Sequence, residues 1–173
     1  MIEIEVKVKA DLKAIEKRLV EEGANLVSEE RQIDTYYSAP HKDFAQTDEA
    51  LRLRSVGRKN TLTYKGPRLG TVSKSRKEIV LSVPRKPIEE LLGSLGFSKF
   101  GQVIKSRRNY ELGSLSVSLD NVKNLGTFME IEALAEERDF ETHERRVIEL
   151  LEKLGFSQGE IIRQSYLELI YGK

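Results

Sequence analysis

Four pairs of charged residues, each pair two positions apart, carry one sign per pair: Glu3 and Glu5, Arg52 and Arg54, Lys105 and Arg107, Glu130 and Glu132. Lys7, Lys65, Arg76, Glu78 and Asp120 sit in the same kind of alternation with apolar neighbours. In an extended strand, residues two apart point to one face, roughly 7 Å apart. Like charges at that spacing repel, so the sorting requires a ligand or an oppositely charged strand facing it. The sorting is strongest from Ala50 to Lys77, where nine Lys or Arg occur with no acid. Rows of bases and acids facing one another across a closed sheet suit a polyanion bound with divalent cations. The bases would neutralise phosphate oxygens, and hard carboxylate oxygens would hold Mg²⁺ or Mn²⁺. The plainer alternative is that each row is the wet face of a half-exposed antiparallel strand.

Composition narrows the chemistry further. The chain of 173 residues is 39% hydrophobic and fits a single domain over residues 1–173. With no Cys, disulfides, Cys-ligated zinc, iron–sulfur clusters and thiol nucleophiles are excluded. Two His leave little material for a His-rich metal site or a Ser-His-Asp triad. A net charge of +1, from 29 Lys+Arg against 28 Asp+Glu, argues against nucleic-acid binding through an overall positive field. No apolar run approaches the roughly 20 residues that span a bilayer, and the start MIEIEVKVKA is charged from its third residue. The expectation is a cytoplasmic protein without membrane attachment. A homodimer is compatible with it.

The positioning elements follow from periodicity. Ile-Glu-Ile-Glu-Val-Lys-Val-Lys at 2–9 is a period-2 strand, and Asp11 caps a helix over 12–22. Strands are predicted at 25–37, 50–56 and 60–65, a mobile Gly/Ser/Thr/Lys loop at 67–75, and a strand at 76–83. Pro84 and Pro87 precede a helix at 88–95, and strands at 99–111, 115–120 and 127–135 follow. Two helices, 141–154 and 159–170, close the chain. Strand, helix, long strand and hairpin occur in 2–65 and again in 76–135, and Leu-Gly-Phe-Ser recurs at 95–98 and 154–157. About eight strands joined by hairpins or short helices predict an α+β fold, an antiparallel barrel or strongly curved sheet with helices outside.

Glu3-Ile4-Glu5-Val6-Lys7 resembles the ExExK signature of the CYTH superfamily, the triphosphate tunnel metalloenzymes. The rest of the pattern follows over nearly the whole chain: Asp34-Thr35-Tyr36-Tyr37, Leu51-Arg52-Leu53-Arg54, Thr63-Tyr64-Lys65-Gly66-Pro67, Arg76-Lys77-Glu78-Ile79, Lys105-Ser106-Arg107, Leu119-Asp120-Asn121-Val122, Phe128-Met129-Glu130-Ile131-Glu132 and Ser165-Tyr166. Residues 40–54 look most like the class IV adenylyl cyclase (CyaB-type) branch. The resemblance implies an eight-stranded antiparallel tunnel that binds a nucleoside triphosphate or inorganic triphosphate with Mg²⁺ or Mn²⁺. It implies phosphate contacts from Arg52, Arg54, Lys65, Arg76, Lys105 and Arg107. Metal would fall to Glu3, Glu5, Glu130 and Glu132, with Asp120 or Glu78 nearby, and Lys7 would stand at the mouth or among the phosphates. Lys7 and Asp120 are the candidate catalytic residues. Val80 departs from the pattern, standing where a further acid is expected.

The function expected is conversion of ATP to cyclic AMP and pyrophosphate. Hydrolysis of the same phosphates, as an inorganic or thiamine triphosphatase, is the alternative, and a non-catalytic polyphosphate or RNA binder is a third. Paired acids at 3/5 and 130/132 count against the binder, because a pure polyanion site gains nothing from carboxylates facing its ligand. Asp34 reads equally as a buried acid that orients a base and as a turn cap. Tyr36, Tyr37 and Tyr110 read as core or rim aromatics.

Overall fold

The computed structural model describes residues 2–68 and 76–172, so most of the loop predicted at 67–75, with Gly70 and Lys74, lies outside the described residues. Eight strands form one antiparallel sheet: β1 (Ile2–Lys9), β2 (Asn25–Ser38), β3 (Ala50–Val56), β4 (Lys59–Arg68), β5 (Arg76–Ser82), β6 (Ser98–Leu112), β7 (Leu115–Val122) and β8 (Gly126–Ala135). Their order is β1-β8-β7-β6-β2-β3-β4-β5. The sheet curls into a half-barrel. Its edges β1 and β5 approach each other, but among the described residues no ladder joins them.

That strand order reads the same when the two halves of the chain are exchanged. β1-α1-β2-β3-β4 and β5-α3-β6-β7-β8 are the repeated units expected from sequence, with helices α1 (Leu12–Glu21) and α3 (Arg85–Ser94) at equivalent places. The halves interlock: β1 pairs with β8, and β6 pairs with β2 along almost their whole lengths. The repeated Leu-Gly-Phe-Ser is a helix stop in both copies. Gly96 and Gly155 take φ of 83° and 91°, a left-handed turn that other residues rarely adopt.

The alternation works as predicted along most of the sheet. Ile4, Val6, Val8, Val117, Leu119, Met129 and Ile131 turn outward and are buried under α1 and α4 (Phe140–Lys153). Tyr37, Leu51 and Leu53 pack with Leu92 of α3. Ile79 on β5, an edge strand of the open sheet, is the exception at 47% exposed.

Local chemistry shifts three boundaries. α3 begins at Arg85, because Pro87 falls in the first turn, where a missing N–H breaks no helical bond. A short helix α2 (Phe44–Thr47), capped by Asp43, interrupts the segment before β3 and was not expected. The helix predicted at 159–170 is instead a 3₁₀ turn (Gln158–Glu160), a non-helical stretch, and α5 (Tyr166–Tyr171). Two capping boxes explain this: Ser157 with Glu160 and Ser165 with Glu168 each start a new turn. Between them the Ile162 N–H donates to the Lys7 carbonyl at 2.8 Å, which a continuous helix would forbid. Among the described residues no helix is long and apolar enough to cross a membrane.

α5 plugs one end of the half-barrel, where Val103, Val122, Phe128 and Tyr166 form a third apolar cluster. Tyr171 packs against Gly101; a Cβ there would sit 2.8 Å from the Tyr171 ring. Gly101→Ala is therefore expected to lose about 1–3 kcal/mol of stability through overpacking. Chemical denaturation checks this, and limited proteolysis should show the C-terminal helix released first.

Candidate active site

The inward rows of the sheet enclose a cavity of about 630 Å³. Glu3, Glu5, Lys7, Arg52, Arg54, Lys65, Arg76, Glu78, Lys105, Arg107, Glu130 and Glu132 all line it, so twelve of the thirteen candidates converge. Asp120 does not line it. It lies behind the wall, 0% exposed. Val80 shares the inward row of β5 but is 58% exposed opposite Thr63 and is not among the lining residues.

Two buried carboxylates anchor the bases. Asp34 on β2 faces Arg54 on β3 in direct register, and the guanidinium donates to both carboxylate oxygens at 2.7 Å. The structure thus favours the orienting role for Asp34 over the turn cap. Asp120 on β7 does the same for Arg107 on β6, accepting at 2.7 and 2.5 Å. Asp120 also accepts from Lys105 at 3.2 Å and from the Tyr166 hydroxyl at 2.8 Å. The Tyr166 ring in turn carries two ammonium groups, Lys7 at 4.1 Å and Lys105 at 4.9 Å from its centroid. Lys7 bridges Glu130 at 3.0 Å and Glu5 at 3.7 Å.

Burial sets the electrostatics. For Asp34, burial pushes the carboxyl up, but the Arg54 hydrogen bonds and the charges of Arg52, Arg54 and Lys105 outweigh it and hold the group at about 2. Burial, then the neighbouring Arg107, pulls Lys105 down to about 8. Arg107 is raised despite its burial by Glu130 and Asp120. Arg52 is half-buried. It lies 3.9 Å from Asp34, is raised chiefly by that charge against burial, and its Nε has no hydrogen-bond partner.

The acids concentrate near the seam between β1 and β5. Glu3 is pushed well up by burial, with Glu78, Glu132 and Glu5 adding to the shift and Lys65 opposing it. Glu132 is raised by burial and by Glu5 and Glu130. Lys65 reaches both Glu3, at 3.6 Å, and Glu78. The donor chemistry of Glu3, Glu5, Glu78 and Glu132 fits a hard divalent cation, because desolvated carboxylates with too few counter-charges gain most from one. Among the described residues no three acids or histidines converge into a finished coordination shell. The acids form a pool of hard ligands, with Glu3 and Glu78 drawn to Lys65 and Glu5 to Lys7.

Two functional roles were not read from the sequence. Ser165-Tyr166 was marked there only as part of the family pattern, and nothing local reveals that this helix start lands between two lysines. The second is a brace at the cavity rim, where Glu49 is hydrogen-bonded by Lys42 and by the Tyr64 hydroxyl, and Arg76 donates to the Asp48 carbonyl at 3.4 Å. His41 is exposed near Phe97 and is not a lining residue.

A half-barrel with a lumen of opposed bases and acids defines the triphosphate tunnel class of folds. The CYTH domain family matches residues 1–166, and the chain belongs to that family. It is 35% identical over 172 residues to a Methanocaldococcus jannaschii protein named "putative adenylate cyclase", covering 98% of each chain. It superposes on the PH1819 protein of Pyrococcus horikoshii OT3 with a TM-score of 0.90 at 34% identity over 98% of each chain. A protein from Hippeastrum, described as a putative adenylyl cyclase with a dominant triphosphatase activity, shares the fold with a TM-score of 0.69 at 17% identity, over 99% of this chain and 96% of that one. Members of the family are enzymes that act on triphosphates.

Asp34→Asn should leave Arg52 and Arg54 under-compensated and cost about 3–5 kcal/mol. The folded-state value of Asp34 is depressed from 3.8 to about 2, so its contribution is full above 3.8 and is lost as pH falls from 3.8 through about 2. Urea midpoints of the wild type and the variant should accordingly be furthest apart near neutrality and converge in acid. A constant difference across that window would contradict the assignment.

Proposed function

We propose that the chain is a class IV adenylyl cyclase-like enzyme of the CyaB type, converting ATP to cyclic AMP and pyrophosphate with Mg²⁺ or Mn²⁺. The observation that carries the reading is the convergence of six bases, Arg52, Arg54, Lys65, Arg76, Lys105 and Arg107, on one cavity that Glu3, Glu5, Glu78 and Glu132 also line. Phosphate oxygens are the natural acceptors for fixed cations gathered in this way, since each can accept from more than one of them.

In the reaction the ribose 3′-oxygen forms a bond to the α-phosphorus, the bond from that phosphorus to the bridging oxygen breaks, and pyrophosphate leaves. Negative charge grows on the leaving group. The fixed cations are already oriented by buried carboxylates and need no reorganisation to meet it. An arriving polyanion would offset the burial and the Arg107 charge that pull Lys105 down. Glu3, Glu5, Glu78 and Glu132 would hold the divalent cation, whose chemistry is to offset phosphate charge and lower the pKa of the attacking hydroxyl. The hydroxyl proton passes to solvent, and no side chain is assigned as general base. Lys7, fixed between Glu5 and Glu130, positions the acids on its side of the lumen.

Hydrolysis of the same phosphates would use the same clamp, and product separation distinguishes the two. Incubation with ATP in Mn²⁺ should give cyclic AMP and pyrophosphate in equal amounts. Orthophosphate without cyclic AMP would assign the chain to the triphosphatases. Excess chelator and Glu3→Gln should each abolish turnover, and activity persisting in chelator would contradict the metal assignment. Arg52→Ala should weaken tripolyphosphate binding by about 2–3 kcal/mol while the unliganded melting temperature barely moves, since Asp34 keeps Arg54.

A further inference from the structure

Three side chains share the carboxylate of Asp120, which is fully buried. Its Oδ1 accepts from Arg107 Nε at 2.7 Å. Its Oδ2 accepts from Arg107 Nη2 at 2.5 Å, from the Tyr166 hydroxyl at 2.8 Å and from Lys105 Nζ at 3.2 Å. A carboxylate oxygen has room for about two donors, so Oδ2 is oversubscribed. Lys105 is the donor that stands back, farther out than the roughly 2.7–2.9 Å at which an ammonium closes on a carboxylate. A neutral hydroxyl holds the nearer place.

The same tyrosine meets the displaced ammonium with its ring. Lys105 Nζ lies 4.9 Å from the ring centroid, within cation–π range. Among the described residues that ammonium donates to Asp120 alone. An ammonium has three N–H donors, so Lys105 keeps donors for the cavity it lines. Tyr166 itself is fixed without help from its hydroxyl. It is buried, its ring stands edge-on to Phe128 with centroids 5.1 Å apart, and the Ser165–Glu168 capping box sets the helix that begins with it. Phenylalanine would satisfy that packing equally. Lys7, the other ammonium on the ring, is held separately by Glu130 at 3.0 Å and Glu5 at 3.7 Å.

We propose that Tyr166 is a positioning residue for Lys105: its hydroxyl fills the Asp120 oxygen on which the ammonium would otherwise close, and its ring steadies the ammonium for the bound phosphates. The inference rests on the phosphate-clamp reading above and adds the residue that keeps one arm of the clamp extended. Without the hydroxyl, Lys105 falls back on Asp120 as an internal ion pair. That pair then has to be opened before the ammonium can meet a phosphate.

The test is a double-mutant cycle on tripolyphosphate affinity in Mn²⁺, measured on the full chain by titration calorimetry. Lys105→Ala should weaken binding by about 10- to 100-fold, the range for one hydrogen bond to a charged group. Tyr166→Phe should weaken it by at least about fivefold. Its unliganded melting temperature should barely move, since Asp120 keeps Arg107 and draws in Lys105. In the Lys105→Ala background, Tyr166→Phe should cost less than about twofold, because the ammonium it positions is gone. Combined with Arg52→Ala, the two losses should instead multiply to within about twofold, as independent sites do. A tyrosine that only held α5 in place would weaken every background alike. The full Tyr166→Phe loss in the Lys105→Ala background, or wild-type affinity in Tyr166→Phe alone, would overturn the positioning role and leave the clamp standing. Wild-type affinity in both Lys105→Ala and Arg52→Ala would overturn the clamp and the positioning role together.

Discussion

A guanidinium taken out of water has to be neutralised within its own layer of the structure, and the architecture of this chain follows from that need. Arg54 and Arg107 are each gripped by a carboxylate one strand away, Asp34 and Asp120, through the edge formed by Nε and Nη2. Such pairs contribute little net stability, because desolvation consumes most of the attraction. What they supply is direction. A paired guanidinium has a fixed plane and keeps its remaining edge for a visitor. The carboxylates at the seam are the converse case, acids with fewer counter-charges than they need, where Lys65 is shared between Glu3 and Glu78.

The C-terminal segment completes this arrangement from outside the sheet. Tyr166 reaches in beneath two ammonium groups and ties its hydroxyl to the same Asp120 that holds Arg107. One residue thereby couples β1, β6 and β7 to the plug at the end of the lumen. The Ile162 bond to the Lys7 backbone pins that segment at the other side. The charged interior and the apolar plug are therefore one mechanical unit.

Much of this was legible in the sequence, because the period-2 signal is strong wherever one strand face is fully charged. Ile-Glu-Ile-Glu-Val-Lys at the start assigns the strand and separates its two faces, while a single strand leaves open whether the charged face meets solvent or a lumen. The sorting of signs across several strands pointed to the lumen, and twelve of the charged residues do line one cavity. Less legible were features whose cause is not local. Asp34 could be read two ways until β3 was seen beside it. Tyr166 sits in a six-residue helix whose neighbours come from residues some 46 to 159 positions away in sequence (Asp120 and Lys7). The C-terminal helix was overextended because helical spacing cannot reveal a backbone N–H already engaged by a distant strand.

The interchangeable halves have one further consequence. Between them, the anchoring pair has exchanged polarity: acid then base on β2 and β3, base then acid on β6 and β7. A lumen made of two equal halves would be degenerate, offering a linear ligand two superimposable ways to lie. Reversing one pair lifts that degeneracy and gives the channel a head and a tail. Even an end-to-end symmetric chain of phosphates would then meet different surroundings at its two termini, and the scaffold imposes a direction its own backbone lacks.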